Sequence, residues 1–157
     1  MGNSDTKIKR DFLENIVHRE YYSFLKNELK QYIQHGSTST FVHSRDVAFM
    51  AYLYAKKHHL DKNPAFSIED LVLSGFCHDF FMYDWHERIG HHKLHGFTHA
   101  HVSAMNAYNY CHLSEKALSI IETHMWPLTI TKIPRSKEAW IICMIDKLIS
   151  LKEIIHR

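Results

Sequence analysis

Leu71-Val72-Leu73-Ser74-Gly75-Phe76-Cys77-His78-Asp79-Phe80-Phe81-Met82, continuing apolar to Trp85, is the stretch from which the rest of the chain can be read. Ser67-Ile68-Glu69-Asp70 before it has the form of a capping box, so the run is expected to be a helix. On that helix Leu71, Gly75 and His78 fall on one line, with Val72, Phe76 and Asp79 beside it. A carboxylate among such neighbours is costly unless it is paired, hydrogen-bonded or bound to a cation. Neighbouring helical residues diverge by about 100°, so His78 and Asp79 can reach one site from two directions. A carboxylate can also bridge two cations, which an imidazole cannot.

Working outward, three more histidines and one more carboxylate lie on helices expected from the spacing of apolar residues. A helix from about Phe41 carries His43, Val47, Met50 and Tyr54 at i, i+4, i+7 and i+11, placing His43 inward. Alone, His43 would be an ordinary core histidine satisfied by a carbonyl. Thr98 is the expected N-cap of a further helix with His99 in its first turn, His101 as its competitor for the site, and Val102, Met105 or Asn106, and Tyr110 along one face. Ser114-Glu115 opens a helix whose last turn holds His124, and Pro127 limits it. A last helix, capped at Ser136, encloses Asp146 between Ile142, Cys143 and Ile149. Lys147 could neutralise Asp146, but adjacent residues diverge on a helix.

Upstream, apolar residues from Lys7 to Ile33 recur at helical spacing, and Gly36 with the Ser37-Thr38-Ser39-Thr40 run ends that segment and caps the next. Between Trp85 and Thr98 the periodicity is lost in a basic loop with His86, His91, His92 and His95, which could line an entrance. No strand pattern of substance and no internal repeat is present. The expectation is one all-α domain, a bundle of about six to seven helices, with residues 1–40 a helical segment packed on a core formed by residues 41–157.

The chain of 157 residues is 45% hydrophobic and carries a formal charge of +2, too little to argue for nucleic acid or a membrane surface. Three separated cysteines, Cys77, Cys111 and Cys143, form no C-x-x-C pair, so the expected setting is a reducing cytoplasm.

Four imidazoles and two carboxylates (His43, His78, Asp79, His99, His124, Asp146) exceed what one tetrahedral zinc takes, and they include no thiolate. They suit two divalent ions, iron or manganese first, then magnesium, zinc, cobalt or nickel. Such a pair activates water and stabilises charge on an attacked phosphorus, so phosphate ester or anhydride hydrolysis follows from the donor set. Arg45, Arg88, Lys93, Lys147 and His95 are candidate substrate contacts by residue type alone. Trp85, Trp126 or Phe97 could stack on a base.

The order His43-Ser44-x-x-Val47, His78-Asp79, His99, His124 and Asp146-Lys147 resembles the HD superfamily of metal-dependent phosphohydrolases, over about Phe41 to Ser150. The two additional histidines are similar to its binuclear branch. The resemblance implies an all-helical HD domain, two metals at the six donors, and Asp79 and His78 as the residues on which catalysis turns. It also implies a small phosphorylated substrate, a phosphomonoester, phosphodiester, nucleotide or dinucleotide. Ala100 stands where proline often follows the third histidine, and Phe80-Phe81-Met82 replaces the frequent Ile-Gly or Ile-Ala-Lys. Some HD proteins with the same donors are di-iron oxygenases. A non-catalytic metal- or ligand-binding domain is the remaining alternative.

Overall fold

A computed structural model describes Phe12, residues 19–86 and residues 94–155. Among these residues are six α-helices: α1 (Tyr22–Leu29), α2 (Thr40–Lys57), α3 (Ile68–Cys77), α4 (His95–Cys111), α5 (Glu115–Thr123) and α6 (Lys137–Ile155). Of the expected Lys7-to-Ile33 helical segment, residues 7–11 and 13–18 lie outside the described residues; in the described part the helix covers Tyr22–Leu29, and Ile33 belongs to a strand. The all-α class expected from the sequence is the one observed.

Four of the helices begin where a serine side chain satisfies an otherwise unpaired backbone N–H. Ser39 Oγ accepts from Val42 N, Ser67 from Asp70 N, Ser114 from Ala117 N and Ser136 from Ala139 N. The fold is assembled around α2, which packs against α3 and α6; α5 in turn lies against α3 and α4. Gly75 permits a close approach of α3 to α2 and α6, because a Cβ there would lie 2.9 Å from Ala48 Cα and 3.0 Å from Ile142 Cδ1. α2, α3 and α6 therefore converge at one glycine, one turn before His78.

Small residues decide which faces are buried. On α2 the inward side is His43, Ser44, Val47, Ala48, Ala51, Tyr52 and Ala55, whereas Met50 and Tyr54 are half exposed. On α4 it is His99, Ala100, Ser103, Ala104, Ala107 and Cys111, while Met105 and Tyr110 face out. Large side chains were the expected anchors, but short ones let the helix axes come close, and close packing of backbones fills space as well as a bulky residue does.

One element was not expected. Ile33–His35 (β1) and Thr38–Ser39 (β2) pair antiparallel across a turn in which Gly36 adopts φ 59°. Gly36 thus serves a hairpin instead of a helix stop. With three and two residues, the strands are too short to leave an alternating pattern in the sequence. β1 lies against α2 and α6, so one face of the hairpin enters the protein.

Candidate metal centre

The six expected donors come together in the interior, each from a different structural device. His43 is in the first turn of α2. His78 is the residue that ends α3, and Asp79 follows in the turn, where Phe80 N bonds Cys77 O and Phe81 N bonds Asp79 O. Helical spacing places both on the helix; instead the helix stops at Cys77 and the turn takes Asp79 off the helical line. His99 lies in the second turn of α4, because that helix starts at His95 and Thr98 returns its hydroxyl to Leu94 O instead of capping. His124 ends α5, and Asp146 is midway along α6. All six are buried.

Asp79 is the hub. Its Oδ2 lies 3.1 Å from His78 Nε2 and 3.6 Å from His43 Nε2; its Oδ1 lies 3.2 Å from His99 Nε2 and 3.7 Å from His124 Nε2. Asp146 Oδ1 completes the first side at 3.2 Å from His43 Nε2 and 3.6 Å from His78 Nε2. The donors thus form two groups, His43, His78, Asp79 and Asp146 on one side and Asp79, His99 and His124 on the other, sharing Asp79.

The far side of each imidazole sets its tautomer. His78 Nδ1 donates to Gly75 O at 2.8 Å, His99 Nδ1 to His95 O at 2.8 Å and His124 Nδ1 to Ile121 O at 2.7 Å. The proton is therefore on Nδ1, and the Nε2 lone pair points into the site, the arrangement typical of metal-ligating histidines. His43 Nδ1 meets the Glu153 carboxylate at 3.1 Å. The Nε2 atoms of His99 and His124 face one another at 3.0 Å, and the buried His78 Nε2 and Asp79 Oδ1 have no hydrogen-bond partner. Opposed lone pairs and an orphaned carboxylate oxygen are unfavourable in a dry interior; positive charge between them removes both faults. The donors present fit divalent metal.

The electrostatics carry the same message. Burial raises the pKa of Asp79, but His78 and His99 override it and hold the carboxyl well below its ordinary range. Asp146 is likewise lowered against burial, by His43 and His78. Burial lowers His43, yet its hydrogen bonds to Asp146 and Glu153 bring it up to about 9. His124, driven down to about 3 by burial and by His78 and His99, stays neutral and able to ligate.

A cavity of about 1170 Å³ opens onto these donors. Asp79, His99, His124 and Asp146 line its inner end, and Gln34, His35, Trp85, His95 and Lys147 lie beside them. Trp85 is stacked on His86 at 4.0 Å and on His95 at 5.1 Å, and His95 stacks on His99 at 4.4 Å. The indole is thus packed in a stack of rings that reaches His99 through His95, the ordinary packing role of an aromatic near a core. Trp126 packs edge-on against Trp140.

The expected substrate contacts fare differently. His95 and Lys147 line the cavity. Arg45 does not: two residues beyond His43, it projects from another side of α2 and pairs with Asp46 in solvent. Arg88, Lys93, His91 and His92 lie outside the described residues. His101, the competitor of His99, is exposed and bonds Glu122. Lys147 leaves Asp146 alone and donates to His124 O at 2.8 Å and Cys143 O at 3.1 Å.

Two residues of the site went unrecognised in the sequence. Gln34, on the hairpin, donates from Nε2 to Asp79 Oδ2 at 2.6 Å. Nothing in its local sequence marks it. Glu153 could have been found, since it lies seven residues beyond Asp146 and shares its helical line.

A family model described as HD domain matches residues 40–151. No curated protein and no solved structure matches the chain. Well over half of the length is matched and the six histidine and aspartate donors meet at one buried centre, so the chain belongs to the HD domain family, whose members are generally metal-dependent hydrolases.

Proposed function

We propose that this protein is a phosphohydrolase working through a binuclear centre, with one divalent ion held by His43, His78, Asp79 and Asp146 and a second by Asp79, His99 and His124. The observation that carries this reading is that the two oxygens of Asp79 face two separate pairs of histidine nitrogens. Iron or manganese suits such a mixture of imidazole and carboxylate. Bound there, the ions would lower the pKa of a water and offset negative charge gathering on a phosphoryl group.

The protein's own residues supply the rest. Carbonyls of Gly75, His95 and Ile121 keep the imidazoles in the ligating tautomer. Gln34 holds one oxygen of Asp79 in place, and Ser150, whose hydroxyl is 3.3 Å from Asp146 Oδ1, steadies the other carboxylate. Enclosure within the bundle keeps bulk water from competing for the donors.

Metal analysis of protein purified without oxygen should find two ions per chain. Phosphate release from monoesters, diesters and nucleotides, screened with manganese, iron, cobalt and magnesium, should vanish in Asp79→Ala. Fewer than one ion per chain, or full activity in that variant, would overturn the reading. Oxygen uptake with a mixed-valence iron signal, in place of phosphate release, would replace hydrolysis by di-iron oxygen chemistry.

A further inference from the structure

The cavity has two unlike ends. Its inner end holds the donors, and its outer wall is built from Met125, Pro127, Leu128, Leu151 and Ile154. Leu128, Leu151 and Ile154 are each about half exposed, which is unfavourable for aliphatic side chains lining a concave surface unless something apolar covers them. Asp146, Lys147, Ser150, Leu151 and Ile154 all border this one cavity and lie along one side of α6. The cavity therefore runs along the helix from donor to apolar wall, about 12 Å from Asp146 to Ile154 at the helical rise. Gly96 keeps the wall closed from the other side, because a Cβ there would come within 3.1 Å of Leu128 Cδ2.

Lys147 is the one lysine or arginine lining the cavity among the described residues. An ammonium has three N–H donors, and those of Lys147 meet His124 O, Cys143 O and Cys143 Sγ at 2.8, 3.1 and 3.3 Å. A monoester needs no further cation if its phosphoryl group sits at the metal pair.

We propose that the substrate is a phosphate monoester of an aliphatic alcohol, its phosphoryl group at the donor cluster and its hydrocarbon chain along Met125, Pro127, Leu128, Leu151 and Ile154. This rests on the phosphohydrolase reading for the reaction, while the apolar subsite stands on the cavity wall alone.

The test uses the manganese-loaded full chain and a series of n-alkylphosphonates from methyl to decyl, bound but not hydrolysed, followed by calorimetry below micellar concentrations. Affinity should rise about fourfold per methylene over several carbons, then level off as the chain outruns Ile154. The paired substitution Leu151→Asn with Ile154→Asn, at half-exposed positions, should flatten that rise. Rates on the matching alkyl phosphates should follow the same order. Affinity independent of chain length, an unaltered rise in the paired variant, or tighter binding of a nucleoside triphosphate than of hexylphosphonate would each overturn the proposal. Chain-length-dependent binding without phosphate release from any ester would sink hydrolysis and leave the apolar subsite standing. Nucleotide hydrolysis with no chain-length dependence would do the reverse.

Discussion

The amide of Gln34 and the carboxylate of Asp79 are joined by a buried hydrogen bond of 2.6 Å. Thr40 Oγ1, 3.4 Å from Gln34 Oε1, orients the amide so that its N–H₂ faces the carboxylate. A short hairpin thereby fixes the residue shared by both donor groups. Partners of this kind alter metal affinity by about 10- to 100-fold. Gln34→Ala should weaken metal binding within that range in a competition titration, with helical circular dichroism unchanged. Gln34→Glu should weaken proton-free Asp79 further in the metal-free protein, by setting two anions together. Unaltered affinity in both variants would remove Gln34 from the site.

Glu153 stands behind His43 as Gly75 O stands behind His78. Its carboxylate is 3.1 Å from His43 Nδ1 and mostly buried. Glu153→Ala should reduce affinity on the side of the centre made by His43, His78, Asp79 and Asp146, so that one ion is lost at lower chelator concentration than the other. Glu153→Gln retains an acceptor and should recover most of the loss. Simultaneous release of both ions in Glu153→Ala would argue that the carboxylate serves folding alone.

At Gly75 a Cβ would lie 2.9 Å from Ala48 Cα and 3.0 Å from Ile142 Cδ1, so α3 has no room there for a side chain. Gly75→Ala should cost about 1–3 kcal/mol through overpacking. A loss of that size corresponds to roughly 2–4 °C in Tm per kcal/mol for a domain of this length. Scanning calorimetry of the metal-free protein is the direct measurement. An increase in Tm would mean that α2 and α3 can separate without penalty.

Away from the centre, Glu138 shapes the acid limb of stability. It is buried, pairs with Lys116 at 2.6 Å and accepts Ser67 N at 2.8 Å. Burial raises its pKa, but Lys116 and the Ser67 N–H outweigh burial and leave it below 4.5. The unfolded chain therefore binds this proton first as pH falls. The stability Glu138 contributes is complete above about 4.5 and is lost as pH drops through the folded-state value. Glu138→Gln should lower stability near neutrality by about 1–3 kcal/mol and make its decline below pH 5 shallower, as read by denaturant titrations across pH.

The sequence by itself determined the helical class, the caps at Ser67, Ser114 and Ser136, the hydroxyl run that contains the Ser39 cap, and the six histidines and aspartates that cluster. Each of these depends on local chemistry: a hydroxyl before a helical run, or an imidazole or carboxylate on an apolar side that hydrocarbon would not tolerate alone. Helical period also placed Glu153 on the line of Asp146, although it takes the packed bundle to bring His43 against it.

Tertiary structure decided the rest. No local pattern says that Asp79 leaves the helical line, that α4 starts at His95 or that a short hairpin delivers Gln34 to a carboxylate 45 residues away. Small residues, not Met50, Tyr54, Met105 or Tyr110, face inward because helix axes pack close where side chains are short, and periodicity alone does not weigh size. The division of six donors into two groups around Asp79 is likewise set by distances between helices, which only the folded chain possesses.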